Sequence, residues 1–234
     1  MKKLNKKLAA GILIVFFAIV AIWVIPANFE IVPNYSESLP YKWVLVKKGL
    51  IPTKRDEVFV FYVRGNKMLG VDKIKFIKLV GGLPGDKIEK QGGVVMKDGK
   101  PVFRTIADSC NTKDSKDVCD KPIMTLFGTL DPNTNPDEDM WYRSFKSPTA
   151  DVKEVLKKRN MDITDKTVSV SGKQIGVIKG WSKKSEPLSA IHSGIIPGGK
   201  FFAYTPHIDS FDSRYQEIGL IDEKDIIGTA ILTY

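Results

Sequence analysis

The sequence has few of the residues that build metal and redox centres. Its 234 residues include two cysteines and two histidines. No third or fourth ligand lies near the cysteines at the spacing of a zinc site, and no glutamate and histidine have the spacing of a metallopeptidase helix. The sequence therefore predicts no metal and no cofactor.

The sequence also lacks the basic surface of a nucleic-acid-binding protein. Lysine and arginine exceed aspartate and glutamate by 36 to 27, which gives a net charge of +9. The lysines are scattered and usually stand near acids, without the basic stripe and interleaved aromatic residues that bind nucleic acid. Part of the excess lies at the extreme N-terminus, between Met1 and Lys7. We predict no nucleic-acid partner.

One long apolar run is present, near the N-terminus. Leu8–Ile25 is a run of eighteen residues without a charge, close to the roughly 20 that a membrane-spanning helix needs. Four lysines precede the run, so the positive-inside rule predicts a cytoplasmic N-terminus. We expect residues 1–26 to form that N-terminus and a single transmembrane anchor in the inner membrane. Residues 27–234 then form a periplasmic, or otherwise extracytoplasmic, domain.

A cleaved signal peptide is the alternative explanation of this run. Its apolar region would be about 7–15 residues long and would end in a small-x-small cleavage site. The run in this chain is longer, and Ile25 stands two places before Ala27, where a small residue is needed. Trp23 also suits the interface of a membrane. These features favour an uncleaved anchor.

The two cysteines fit an extracytoplasmic domain. Cys110 and Cys119 lie in the same polar segment, and thiols outside the cytoplasm can be oxidised. A disulfide that closes this loop is a better explanation of the pair than a metal site with two cysteine ligands. We predict a Cys110–Cys119 disulfide.

The rest of the chain predicts a mainly β fold. Runs of β-branched and aromatic residues between turn signals predict antiparallel strands, at residues 56–67, several times within 71–102, and at 166–172, 173–180, 200–206 and 226–234. Residues 104–150 are polar and predict a loop-rich insertion, and residues 149–160 have the apolar spacing of a helix. There is no internal repeat or long linker. We therefore expect one domain with an insertion at about residues 104–198, which holds one helix and extra strands.

Lys78 interrupts an apolar strand face. Alternate residues of a strand share a face, so Ile74, Phe76, Lys78 and Val80 point the same way. Burial among apolar neighbours disfavours the ammonium form of lysine and lowers its pKa, which makes lysine a usable general base. The alternative is that Lys78 reaches from the strand end into water. A basic lysine needs a nucleophile to activate, and serine–lysine pairs are a known form of nucleophilic catalysis.

Several segments resemble the type I signal peptidases, which are serine–lysine peptidases. The segment "SESLP" resembles their Ser-x-Ser-hydrophobic-Pro element, and "KLVGGLPGD" resembles the lysine followed by a Gly-Leu-Pro-Gly-Asp turn. Further on, "SFDSRYQEIGL" resembles a Ser-x-Asp-Ser-Arg element, and "IIGTAILTY" resembles the closing strand. The four matches come in family order after an N-terminal apolar run. The resemblance implies the antiparallel, barrel-like β-sheet fold of that family.

The resemblance also implies roles for single residues. Ser38 matches the nucleophile and Lys78 the general base. The hydroxyl of Ser36 and the backbone N–H of Ser38 match the oxyanion hole. Ser210 matches the serine that orients the lysine amine.

Other residues match the parts of the family's site that support the reaction. Asp212 and Arg214 match an ion pair that supports the site. Leu39, Phe76 and Ile77 correspond to the pocket that receives the small residue before the cleaved bond.

The departures from the usual pattern indicate a particular branch. Leu39 stands where most members have methionine, and Leu79 where they have arginine. The familiar Gly-Asp-Asn-Arg is replaced in residues 204–210, and two extra residues separate Arg214 from Gly219. Ser-Leu-Pro and Ser-Phe-Asp-Ser-Arg-Tyr are similar to the TraF-type peptidases of conjugative plasmid transfer, which mature a pilin subunit.

The resemblance implies a serine endopeptidase whose partners are the lipid bilayer and a precursor protein, either a signal peptide or a prepilin. Components of conjugative transfer or type IV secretion are further expected partners. A housekeeping signal peptidase I is one alternative. A non-catalytic, membrane-anchored assembly factor for a pilus or secretion system is the other.

Two other motifs suggest different chemistry. "HIDS" holds His207, Asp209 and Ser210, but neighbours on one strand alternate faces and rarely assemble a triad. His192 and His207 are expected on the surface or in loops. "GGLPGDK" lacks the Gly-Lys-Ser/Thr ending of a phosphate-binding loop, and we interpret it as a tight turn.

Overall fold

The computed structural model describes residues 6–93, 95–101, 146, 154, 157–158 and 160–234. Strands account for 44% and helix for 14% of what is described, so the predicted mainly β, antiparallel class is confirmed. The sheets do not close into a barrel within these ranges. Cys110 and Cys119, with nearly all of the predicted insertion at 104–150, lie outside the described residues. Of the predicted helix at 149–160 the structure describes Glu154, Lys157 and Lys158 as helical, and Asn160 as part of a turn.

The elements follow one another in chain order as one long helix and then strands. The helical elements whose bounds are described are α1 Lys6–Asn28 and a 3₁₀ turn at Glu223–Asp225. The first strands are β1 Phe29–Pro33, β2 Trp43–Lys48, β3 Val58–Asn66, β4 Val71–Gly82, β5 Lys87–Gln91, β6 Val95–Lys97 and β7 Lys100–Pro101. The later strands are β8 Met161–Ile163, β9 Lys166–Val170, β10 Lys173–Ile178, β11 Gly194–Ile195, β12 Lys200–Tyr204, β13 Ile221–Asp222 and β14 Ile226–Thr233.

Helix α1 is apolar on all sides. Its Gly11–Asn28 window has a mean hydropathy of 2.4 and none of it is buried against the rest of the protein. By length and composition it could cross a membrane. Pro26 stands near its end, where it interrupts the helical hydrogen bonding. Lys48 Nζ donates to the Pro26 carbonyl at 2.8 Å and ties the helix end to β2.

The strands form a large sheet and two smaller ones. The seven-stranded sheet has the order β1-β2-β14-β3-β4-β12-β13, and the others have the orders β10-β9-β5-β11 and β7-β6-β8. The strand pairings of the sheets are antiparallel. Strand β4 therefore lies inside the large sheet, between β3 and β12, with core on both faces of its second half.

Three apolar clusters form the core of the part of the chain that the structure describes, and β4 contributes to all of them. Ile77 belongs to the cluster built on β2 and β3, and Val80 to the one that contains Phe59 and Phe61. Leu79 packs against the cluster of the four-stranded sheet. A charged side chain in the second half of β4 must therefore be buried, whichever face it occupies.

The end of β4 requires two glycines for packing. A Cβ on Gly82 would come within 2.6 Å of Ile196 Cδ1, and one on Gly81 within 2.8 Å of Tyr204 Cδ1. The next residues form a tight turn, in which the Asp86 amide donates to the Leu83 carbonyl at 3.0 Å. The segment is thus the tight turn that the sequence predicts, and it leads the chain from the large sheet to β5.

Candidate active site

Lys78 is buried near the middle of the large sheet. Its side chain is 6% exposed, and its strand partner on β3 is Phe59. Lys78 therefore does not reach water from a strand end, which was the alternative explanation of its position. Burial lowers the pKa of Lys78 from 10.5 to about 8; the Asp212 carboxylate opposes this shift and the Arg214 guanidinium adds to it. An amine with this pKa is partly neutral near pH 7 and can accept a proton.

Ser210 holds the amine of Lys78. Lys78 Nζ donates to Ser210 Oγ at 2.7 Å, and Ser210 is 3% exposed. The serine comes from the loop after β12, whose turn is closed by the Ser210 amide donating to the His207 carbonyl at 3.1 Å. The structure thus brings together two of the predicted site residues that are 132 positions apart in sequence.

A buried ion pair fixes the loop that carries Ser210. Arg214 Nε and Nη2 donate to the two carboxylate oxygens of Asp212 at 2.9 and 3.0 Å, and both residues are 0% exposed. Arg214 Nη2 also donates to the carbonyls of His207 and Ser210 at 3.0 and 3.1 Å. The guanidinium therefore sets the backbone position from which Ser210 reaches Lys78.

Replacing Arg214 should destabilise the fold far more than removing a surface arginine does. We expect Arg214→Met to lower the free energy of unfolding by about 3–5 kcal/mol, because it leaves Asp212 as a buried charge without its partner. Arg64→Met is the matched control; Arg64 is half exposed and pairs with Asp225 at 2.7 Å, and such a pair contributes less than about 1 kcal/mol. Urea unfolding of both variants measures the difference. Equal, small losses would contradict the structural role of Arg214.

The two serines of the predicted site lie in the loop between β1 and β2, and Asn34 organises that loop. Asn34 Nδ2 donates to the carbonyls of Leu39 and Tyr41 at 3.2 and 2.8 Å. Its Oδ1 accepts from the amide and the hydroxyl of Ser36, both at 3.1 Å. Sequence reasoning missed this role, although an Asn that accepts from the residue two places later is a known turn signal.

The hydroxyls of Ser36 and Ser38 are in contact, with 2.7 Å between the two Oγ atoms. The Oδ1 of Asn34 can only accept, so the Ser36 hydroxyl proton is directed to Asn34. It follows that Ser38 donates its proton to Ser36 Oγ in this arrangement. Among the described hydrogen bonds there is none between Ser38 Oγ and Lys78 Nζ. Proton transfer between them requires Ser38 Oγ and Lys78 Nζ to come within hydrogen-bond distance.

The serine loop packs on the strand that carries the lysine. Leu39, which follows Ser38, belongs to the same buried cluster as Ile77, which precedes Lys78. Phe76 is placed elsewhere: it packs against the cluster of Phe59 and Phe61, with the Lys78 ammonium nitrogen 5.5 Å from its ring centroid. The structure therefore brings together Leu39 and Ile77 of the three predicted pocket residues and puts Phe76 on the lysine side of the strand.

The three polar residues of "HIDS" do not form a relay. His207 Nδ1 accepts from the Asp209 amide at 3.1 Å, and the Asp209 carboxylate pairs with Lys179 and Lys183. Ser210 faces Lys78 instead. The second histidine, His192, is exposed. These contacts leave Lys78 as the buried basic group next to a serine hydroxyl.

A buried lysine bonded to a serine hydroxyl, with a loop of two further serines packed on its strand, is a set of groups suited to acyl transfer. A family model described as "Signal peptidase, peptidase S26" matches residues 4–234. This match covers almost the whole chain, and it shows that the protein is a peptidase. The chain belongs to the signal peptidase family, peptidase S26, whose members act on precursor proteins. Comparison with curated protein sequences gives no significant match.

Proposed function

We propose that the protein is a membrane-anchored serine endopeptidase that uses Ser38 as nucleophile and Lys78 as general base. Ser38 Oγ attacks the carbonyl carbon of the bond after a small residue, and its proton passes to the neutral amine of Lys78. The tetrahedral intermediate collapses when the C–N bond breaks, and Lys78 gives the proton to the leaving amine. Water then attacks the ester on Ser38, with Lys78 again as base. The observation that carries the proposal is the buried Lys78, hydrogen-bonded to Ser210.

Ser36 is assigned to the oxyanion hole in this mechanism. The hydroxyl of Ser36 lies 2.7 Å from Ser38 Oγ, so it lies next to the carbonyl oxygen that becomes negative during the attack. To donate there it must turn its proton away from Asn34 Oδ1. A donor of this kind contributes about 3–4 kcal/mol to transition-state stabilisation. The Ser38 backbone N–H is the second donor of the proposal.

The rate of cleavage should rise with pH through the pKa of Lys78. Only the neutral amine accepts a proton, so kcat/KM at low pH is limited by the fraction of neutral lysine. With a pKa of about 8, we expect kcat/KM to increase about tenfold per pH unit below 8 and to level off above it. Steady-state cleavage of a precursor between pH 6 and 9 measures the profile. A flat profile over this range counts against a lysine base.

We further propose that α1 is an uncleaved anchor with the β domain on the extracytoplasmic side. Its unburied apolar surface supports this, and so does the sheet that follows it. One face of β1, β2 and β14 exposes large apolar side chains next to the serine loop, among them Ile31, Leu232 and Tyr234, which are 67%, 54% and 69% exposed. This face is suited to rest on a bilayer, at the height where an anchored precursor presents its cleavage site.

Protease access in spheroplasts tests this topology. Protease added to spheroplasts should digest the β domain, and alkaline carbonate should leave the undigested protein in the membrane fraction. A domain that is digested only after the membrane is opened would place it on the cytoplasmic side. Release by carbonate would contradict the anchor.

The substrate that we propose is a pilin precursor of a conjugative transfer system. The support is the similarity of Ser-Leu-Pro and Ser-Phe-Asp-Ser-Arg-Tyr to the TraF-type branch. In this case an amine of the substrate can replace water at the acyl-enzyme, which gives a cyclic product. Mass spectrometry of pilin-like precursors, with the wild-type protein and with Ser38→Ala, decides the substrate. Processing of many secreted precursors would indicate a housekeeping signal peptidase, and loss of assembly without any processing defect would indicate an assembly factor.

A further inference from the structure

Thr205 is a buried polar residue that the mechanism does not use. Thr205 Oγ1 and Glu217 Oε2 are the buried side-chain oxygens of the described residues that have no hydrogen-bond partner. Glu217 accepts from the Ser189 amide with its other oxygen at 2.8 Å, whereas Thr205 has no other polar side-chain atom. Thr205 is 0% exposed. An unpaired buried hydroxyl is destabilising, and a group of this kind points to an unfilled role.

Strand register places Thr205 next to the lysine. On β12 and β4, Ala203 is opposite Val80 and Tyr204 is opposite Leu79. One further step in this register puts Thr205 opposite Lys78. Residues directly opposite in an antiparallel pair have their side chains on the same face, with Cβ atoms about 4.5–5.5 Å apart.

Contacts around Thr205 agree with this placement. Its backbone amide donates to Asp212 Oδ2 at 3.2 Å, and Asp212 is the carboxylate that acts on the charge of Lys78. Ala203 and Val80 share a cluster with Phe59, which is the partner of Lys78 on the other side of β4. Thr205 and Lys78 therefore face the same buried space.

A neutral Lys78 amine needs a second hydrogen-bond acceptor besides Ser210. A neutral lysine has two N–H groups and one lone pair. To take the proton of Ser38, the lone pair must point at Ser38, and both N–H groups must then be held elsewhere. Ser210 Oγ accepts one of them at 2.7 Å. The other needs an acceptor in a space where an unpaired donor is costly.

We propose that Thr205 is a positioning residue for Lys78: when the amine turns its lone pair to Ser38, its second N–H moves onto the Thr205 hydroxyl oxygen, which has no partner in this structure, while Ser210 keeps the first. This inference rests on the proposed Ser38–Lys78 mechanism. The same oxygen accepts from the ammonium after proton transfer, so it stabilises the charged form more than the neutral one. Thr205 lies in the segment 204–210, where the sequence departs from the usual family pattern.

Titration of Lys78 in three proteins tests the inference. In Thr205→Val the side chain keeps its shape but loses the acceptor, and we expect the pKa of Lys78 to fall by about 1, because a hydrogen bond to a charged group is lost. Thr205→Ser keeps the hydroxyl and should titrate like the wild type. NMR of protein labelled at lysine Cε measures the pKa, and Lys78→Met identifies the resonance. The charged groups that act on Lys78, Asp212 and Arg214, are the same in every variant.

Kinetics give a second readout that a purely structural role would not move. Thr205→Val should lower kcat about tenfold with KM unchanged, and it should shift the pH profile to lower pH; Thr205→Ser should restore both. An unchanged pKa in Thr205→Val would overturn the inference, and so would a Thr205→Ser variant that behaves like Thr205→Val. If the wild type shows no cleavage that depends on Ser38, the proposed mechanism fails, while the titration still decides whether Thr205 contacts Lys78.

Discussion

Ser38→Ala is expected to abolish precursor cleavage, with a loss in kcat of about 10⁶-fold, the scale found when a serine nucleophile is removed. The reason is chemical: the neighbouring hydroxyl of Ser36 is held by the amide side chain of Asn34 and cannot replace the nucleophile without rebuilding the site. Binding should survive, since the substitution removes one oxygen atom from a half-buried side chain. A binding assay with the variant should therefore give a Kd close to that of the wild type.

Ser193→Ala is the matched control for this substitution. Ser193 lies in an exposed position just before β11, remote in sequence from the serine loop. The Ser193→Ala variant should cleave the precursor at the wild-type rate. A Ser38→Ala protein that retains a tenth of the wild-type rate would rule out Ser38 as the nucleophile.

Lys78→Met is expected to lower the rate of cleavage and to raise the stability of the fold. The rate should fall about 10⁴-fold, the upper contribution of a general base. Stability at pH 7 should rise, by at most about 3 kcal/mol, because methionine does not bear the cost of a pKa lowered from 10.5 to about 8, at 1.36 kcal/mol for each unit; the buried Ser210 hydroxyl, which loses its partner, takes back part of this gain. Methionine fills a similar volume, so no cavity offsets the gain.

The pH dependence of the free energy of unfolding tests this stability change. Between pH 8 and 10.5 the unfolded wild type binds more protons at Lys78 than the folded protein does, so its stability rises with pH across that window. The Lys78→Met variant should lack this rise. Lys73→Met is the control on the same strand, because Lys73 is exposed and stacks on Tyr62 at 3.7 Å. It should change neither the rate nor the slope with pH.

An inactive Lys78→Met variant that is also less stable would indicate a structural role for Lys78. In that case Lys78 would hold the sheet together as an ion-pair partner, and the loss of activity would follow from damage to the fold. Urea unfolding at pH 7 and pH 10 distinguishes the two outcomes. The proposed role requires lower activity together with higher stability at pH 7.

Local rules predicted the lysine and most of the strands. The period of two along β4 was enough to place Lys78 on an apolar face with Phe76 and Val80, and burial then followed from the position of β4 inside the sheet. The same period separates Phe76 from Ile77, which is why the structure divides these two predicted pocket residues between the two faces. Strands β1 and β2 were not predicted, although Val44 and Val46 alternate as a half-buried strand requires.

Other features of the site depend on long-range pairing and were not accessible from the sequence. Nothing in the sequence marks Thr205, and its inferred place opposite Lys78 comes from continuing the register of β12 on β4 one residue beyond the last pair, Tyr204 and Leu79. The buried environment of Arg214 likewise depends on Val177 and His207, which reach it from two different segments. Asn34 is the exception, because its turn is local and could have been predicted from Asn-x-Ser alone.

Trapping of the acyl-enzyme tests the central claim most directly. The wild-type protein is mixed with precursor, quenched in acid within the first turnover, digested and analysed by mass spectrometry. We predict that the peptide containing Ser38 gains the mass of the N-terminal substrate fragment less one water, and that the adduct is absent from Ser38→Ala. An adduct on another residue, or turnover with no covalent adduct at all, would contradict the assignment of Ser38 as the nucleophile.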